Sequence, residues 1–186
     1  MRGQPIRLAL LACVLALTAA ALQTPRNSAA GERRVQAAAM PMDYLLGDIA
    51  RYRRETWRWQ RLMGVHRTRA HAVRRHRSPH YRRWVRSLWR KRAVKHRRRA
   101  NQPPHRAQWA CIHRYEGHWH DPNPPYYGGL QMDLTFQRLY GGDLLRRKGT
   151  ADNWTPLEQM WVAERALRSG RGFYPWPNTA RNCGLI

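Results

Sequence analysis

The chain reads as a mainly helical α+β protein in which a strongly basic helical segment precedes a small domain of nearly balanced charge. Three observations lead there. Apolar residues recur at steps of three and four in several stretches, the period of an amphipathic helix. The turn-rich run Asp121-Pro-Asn-Pro-Pro-Tyr-Tyr-Gly-Gly suits a loop or a short hairpin, the minor β component. The charge is segregated: residues 51–100 carry 20 Lys and Arg against the single acid Glu55, whereas residues 101–186 carry 10 against seven acids. The net charge of +24 over 186 residues therefore belongs to one segment, and the length leaves room for about one compact domain with accessory parts.

The elements follow in order. Arg2 and Arg7 precede an apolar run from Leu8 to Leu22, and Ala19-Ala20-Ala21 or Ser28-Ala29-Ala30 offers a small-residue cleavage site. Residues 1–30 are thus expected to be an export signal, removed or retained as an anchor, and the protein to be secreted or associated with the cell wall. The run is shorter than the roughly 20 residues that span a bilayer. Residues 31–40 form a spacer. Leu45, Ile49, Tyr52, Thr56, Trp59 and Met63 then share one helical face, which Gly64 interrupts. Tyr81, Trp84, Val85, Leu88 and Trp89 mark a second helix after Ser78-Pro79. These two are expected to pair as a hairpin or to lie against a membrane or wall polymer. Asn101-Gln-Pro-Pro104 is the domain boundary, dividing a basic region at 31–104 from a domain at 105–186.

Within that domain a helix is expected over His105–Glu116, with Trp109, Ile112 and Glu116 near one face and Gly117 as its stop. Asp133 is placed to cap a helix reaching Tyr140 and ended by Gly141-Gly142. Thr155-Pro156-Leu157-Glu158 has capping-box spacing and opens a helix whose apolar stripe is Met160, Ala163 and Leu167. The tail from Phe173 to Cys183 reads as irregular and aromatic. With the signal removed, Cys111 and Cys183 remain, and an even pair in an exported protein is a candidate disulfide. The alternative is two buried thiols.

Glu116 is the residue that suggests chemistry. It lies in Trp109-Ala-Cys-Ile-His-Arg-Tyr-Glu116-Gly-His-Trp119, far in sequence from any other glutamate. Rings that exclude water favour the protonated form of a carboxyl, which suits proton donation near neutral pH. An exposed glutamate at a helix end is the plainer reading of the residue type. Tyr126, Tyr127, Trp119 and Trp176 have flat faces suited to stacking on sugar rings, and Gln131 offers both donor and acceptor. Core packing is their other role. It is the one expected for Trp109, Trp154 and Trp161. His113, His118 and His120 lack the spacing of a zinc helix, so neither metal nor cofactor is expected.

Residues 109–183 resemble the lysozyme-like catalytic domain of the resuscitation-promoting factors, a transglycosylase-like family of actinobacterial cell-wall enzymes. Three blocks carry the likeness: Trp109…Glu116-Gly-His-Trp119; Tyr126-Tyr-Gly-Gly-Leu-Gln131 with Tyr140-Gly-Gly142; and Glu158-Gln159…Val162-Ala-Glu-Arg165…Trp176-Pro177 with a cysteine following. The resemblance implies a lysozyme-like fold and cleavage of peptidoglycan glycan strands between N-acetylmuramic acid and N-acetylglucosamine. It assigns the catalytic acid to Glu116 and sugar contacts to Tyr126 and Gln131, with Trp119 and Trp176 at aromatic positions of the cleft. The chain departs from the family where Tyr115 stands for a cysteine, Ala110 for an aspartate, and the Glu116–Trp119 stretch is short.

Most glycosidases use two carboxyls, and the neighbours available here are Asp121, in a proline-rich turn, and Asp133, better used as a cap. A single acid suffices when the substrate's own groups complete the displacement, which favours a lytic transglycosylase over a hydrolase. The basic region is expected to bind anionic wall polymers or a membrane surface through residues 51–100, or to serve as a charged spacer. The competing reading is a non-catalytic polyanion binder with a degenerate lysozyme-like domain; export argues against nucleic acid as the partner.

Overall fold

The computed structural model describes residues 42–70 and 78–186, and Met42–Ile186 form one compact unit. The export signal read at residues 1–30, the spacer at 31–40, and His71 and His76 lie outside the described residues. Among the described residues no helix is long and apolar enough to cross a membrane. The unit is mainly helical, with one small two-stranded sheet.

Helices α1 (Met42–Met63) and α2 (Pro79–Ala100) arise where the apolar period places them. Ser78 accepts from the Tyr81 N–H and Pro79 opens α2, so its start is set by residue chemistry that is visible locally. The end of α1 closes on Gly64, at φ 62°: the Gly64 N–H bonds Arg61 O and the Val65 N–H bonds Gln60 O, the Schellman arrangement. Ile49, Val85 and Trp89 form the seam, with Trp57 edge-on to Trp89 at 6.1 Å.

The two helices do not form the expected hairpin. Their contacts advance together along both chains: Asp48 meets Arg86, Gln60 meets His96, and Met63 and Ala100 lie in one cluster. The helices therefore run in the same direction. Fifteen residues separate Met63 from Pro79. At about 3.3 Å per residue that length exceeds the roughly 33 Å of a 22-residue helix, so the chain can return to the start of α1. A parallel pair brings two carbonyl ends, and their partial negative charges, to one place.

Those ends are received by the domain that follows. Arg165 donates to the carbonyls of Leu62 at 2.7 Å and Arg61 at 3.1 Å, and Arg168 to that of Met63 at 2.7 Å. The Trp161 indole N–H donates to Ala100 O at 2.7 Å, and Met63, Ala100 and Trp161 share a buried cluster with Leu62, Val65 and Leu157 around it. The boundary at Asn101–Pro104 is thus a turn between two packed parts of one unit.

The domain itself comprises α3 (Arg106–Glu116), β1 (Tyr126–Tyr127), β2 (Met132–Asp133), α4 (Leu134–Lys148), α5 (Pro156–Ala166) and α6 (Pro177–Asn182). α5 runs through its centre: Gln159 to Glu164 are all buried, and the capping box of Thr155 and Glu158 sets its start. The Glu164 carboxylate, 1 % exposed, accepts from the His105 N–H and the Trp109 indole N–H, both at 2.9 Å. A negative group thereby anchors the first turn of α3, where the helix dipole favours it. Trp109, Trp154 and Trp161 are all buried.

Two expectations change here. α4 does not end at Gly141-Gly142; Gly141 leaves the helical conformation in a kink and the helix resumes to Lys148. The glycine is there for packing, since a Cβ at Gly141 would lie 2.6 Å from the Trp154 ring. The tail is not wholly irregular, because Pro177–Asn182 form α6. Cys183, which ends α6, is disulfide-bonded to Cys111 in α3, with Cα atoms 6.1 Å apart and a sequence separation of 72.

Candidate active site

Glu116 is the last residue of α3 and is partly exposed. Its carboxylate Oε1 accepts a hydrogen bond from the Thr179 hydroxyl at 2.7 Å. Thr179 lies in α6, the helix that the disulfide ties to α3, so one covalent link holds both partners of this bond on neighbouring elements. Thr179 was not singled out in the sequence: it is 63 residues from Glu116, and only packing brings them together.

The chain leaves α3 through Gly117, at φ 142°, a conformation open to glycine. A Cβ there would sit 3.4 Å from Gln131 Nε2 and 3.6 Å from Asp121 Oδ2, so the residue beside Glu116 faces both groups. Gln131 Nε2 donates to Asp121 Oδ2 at 2.9 Å and to Gly128 O at 3.0 Å. Asp121 also accepts from the Asn123 backbone and side-chain amides. It is therefore a fixed, partly buried acceptor rather than a freely solvated turn residue.

β1 and β2 pair antiparallel with Tyr126 opposite Asp133 and Tyr127 opposite Met132. The turn between them is tight at each position. Gly128 has φ 74°, and a Cβ on it would meet Gln159 Oε1 at 2.7 Å. A Cβ on Gly129 would meet His113 Nδ1 at 2.6 Å and the Trp119 ring at 2.8 Å. Gln131 closes the turn at φ 46°, a left-handed conformation that an L side chain adopts only when its surroundings hold it there. The cost is tolerated where a side chain must point in one direction.

Tyr126, half exposed, lines a cleft together with Gln131, Thr135, Leu139, Arg171 and Trp176. Successive strand residues point to opposite faces, so Tyr127 turns inward and packs on the core. Trp176 is only 4 % exposed; its indole N–H bonds Leu130 O at 2.6 Å, and Trp109 and Phe136 crowd its ring at 5.2 and 5.5 Å. It forms part of the cleft's floor, and its faces are not free for a sugar. Trp119, partly exposed, stacks one face on His113 at 3.9 Å.

Of the residues expected to meet a glycan, Tyr126, Gln131 and Trp176 line the cleft, Trp176 as its floor, while Tyr127 and Trp119 pack beneath the turn. Glu116 is partly exposed at the end of α3 and is not among the residues that line this cleft. Leu139 and Arg171 join the cleft without any local signal, since neither stands in a motif. Among the described residues no group of three or more His, Cys, Asp or Glu side chains is placed to hold a metal ion. Compared with known proteins, the chain matches no protein-family model, no curated protein and no solved structure.

Proposed function

We propose that the protein is a peptidoglycan-cleaving enzyme of lysozyme-like fold that acts on the bond between N-acetylmuramic acid and N-acetylglucosamine, with Glu116 as the single general acid and base. The observation that carries the reading is the carboxyl of Glu116 at a helix end, oriented by the Thr179 hydroxyl and followed by Gly117, the residue that faces Gln131 and Asp121. A partly exposed carboxyl held in one direction is what protonation of a bridging oxygen requires.

The chemistry follows from one carboxyl. Glu116 gives its proton to the bridging oxygen, the bond from that oxygen to the muramic C1 breaks, and the 6-hydroxyl of the same sugar closes on C1. The hydroxyl proton returns to the Glu116 carboxylate, and the product is an anhydro-sugar end. Water in place of the 6-hydroxyl gives hydrolysis. Gln131 offers a donor and an acceptor to an N-acetyl group, and Tyr126 presents a ring face. Arg171 brings a cation to the cleft, where the carboxylates of the peptide stems are the anions a glycan strand carries. Asp121 is engaged by Gln131 and Asn123, so its role is to hold Gln131 rather than to attack.

Incubation of the full chain with purified sacculi tests the reading. The native protein is expected to release muropeptides with anhydro ends detectable by mass spectrometry, and Glu116→Gln none. Release from neither would leave the competing reading of a non-catalytic polyanion binder, which the acid-free α2 favours, and equal release from both would remove Glu116 as the acid.

A further inference from the structure

The outward face of α2 has no part in the site around Glu116. The helix holds ten Lys and Arg, eight of them Arg, and no Asp or Glu. Its buried line, Val85, Trp89, Ala93 and Ala100, faces inward. Arg83, Arg90, Lys91, Lys95, Arg98 and Arg99 are exposed. Asp48 and Glu55 of α1 pair with Arg51, Arg86 and Arg97, and no ion pair among the described residues reaches those six. From Arg83 to Arg99 the helix rises about 24 Å. Arg90, Lys91, Lys95, Arg98 and Arg99 surround Val94 in one shallow groove.

We infer that this groove binds a linear phosphodiester polymer of polyols, a chain of phosphates that carries neither bases nor acyl tails. A row of cations with no carboxylate partners is costly in self-repulsion and is relieved by a polyanion laid along it. Guanidinium predominance favours phosphate, which it meets with two parallel hydrogen bonds. A bilayer would demand apolar side chains to insert, yet the exposed large apolar side chains of α2 are Trp84 and Val94, and Val94 lies within the cationic groove. A single-stranded nucleic acid would demand successive ring platforms, and only Trp84, tilted against Tyr81 at 5.7 Å, stands on this face.

The test titrates the full chain with a short poly(glycerol phosphate), with oligothymidylate carrying the same number of phosphates, and with phosphatidylglycerol vesicles, each at low and high salt. Poly(glycerol phosphate) is expected to bind most tightly and to weaken steeply with salt. The variant Arg90→Gln/Lys91→Gln/Lys95→Gln/Arg98→Gln, checked for native helicity, should bind it roughly tenfold or more weakly with a shallower salt dependence. Trp84→Ala should leave it unchanged. Undiminished binding by the fourfold variant, or insensitivity to salt, overturns the inference. So does tighter binding of the oligothymidylate or the vesicles, with Trp84→Ala as the damaging change. No glycan is cleaved in this experiment, so its failure leaves the reading of Glu116 untouched, and loss of cleavage leaves this one untouched.

Discussion

At the scale of single residues, the bond between Thr179 and Glu116 is the feature with most consequence. A hydrogen bond to a charged group contributes about 1.5–3 kcal/mol, which corresponds to roughly tenfold to a hundredfold in a rate if it orients the group only for the reacting state. Thr179→Val is accordingly expected to lower kcat by about that factor with little change in KM. Thr179→Ser, which keeps the hydroxyl, should retain most of it. Steady-state kinetics on soluble glycan oligomers separate this from a packing defect, because a merely structural loss would not be rescued by serine. Glu116 stands out in the sequence because its neighbourhood is unusual in composition. Thr179 does not, since a lone threonine in a tail is unremarkable until α6 docks on α3. The same holds for Trp176: its motif suggests a sugar platform, and only the packed core shows that Trp109 and Phe136 already occupy the space around it.

At the scale of elements, the parallel pair α1–α2 contains a pH-sensitive contact. The Gln60 side-chain oxygen accepts from the Thr68 N–H, which orients the amide so that its nitrogen faces both Thr68 Oγ1 and His96 Nε2. His96 Nε2 must then be an acceptor, the neutral form. Burial, followed by the charges of Lys95, Arg99 and Arg92, pushes the His96 imidazole below its ordinary range. A group whose folded-state affinity for protons is depressed lowers stability where the unfolded chain still binds the proton. The pair should therefore be most stable above the ordinary histidine value of about 6.5 and lose stability as pH falls below it. Denaturant melts at successive pH values check this, and His96→Gln should flatten the dependence between pH 8 and 5. Asp48 acts lower on the scale: burial pushes its carboxyl up, but hydrogen bonds from Arg51 and Arg86 more than offset this and leave it below its ordinary value. Its contribution is present above the ordinary carboxylate range and is lost only as acid protonates it. The helices themselves were legible from period and caps, but their direction was not. A hairpin and a parallel pair have the same apolar faces, and the 15-residue connection permits either.

At the scale of the whole molecule, two ties hold the catalytic-looking domain together: the disulfide and the joint with α1 and α2. Closing a loop of 72 residues is worth about 4 kcal/mol in the chain-entropy model, a large share of the stability of a unit this size. Reduction, or the pair Cys111→Ser/Cys183→Ser, is expected to lower the melting temperature by about ten degrees, on the order of 2–4 °C per kcal/mol for a unit near 150 residues. Calorimetry under oxidising and reducing conditions measures it. Were the melting temperature unmoved, the tie of α6 to α3 would have to rest on Trp176 and its neighbours alone.

The sequence by itself determined where α1, α2, α3 and α5 lie and where α4 starts, the segregation of charge, the pairing candidates Cys111 and Cys183, and the singular carboxyl at Glu116. All of these depend on residues close together in the chain: an apolar period, a cap, a run of arginines, an even count of cysteines. Tertiary structure alone decided that α1 and α2 run the same way, that Arg165 and Arg168 cap α1 from about a hundred residues away, and that Thr179 meets Glu116. Such meetings depend on which buried surfaces fit, and packing energy is a property of the assembled core that no short stretch of residues carries.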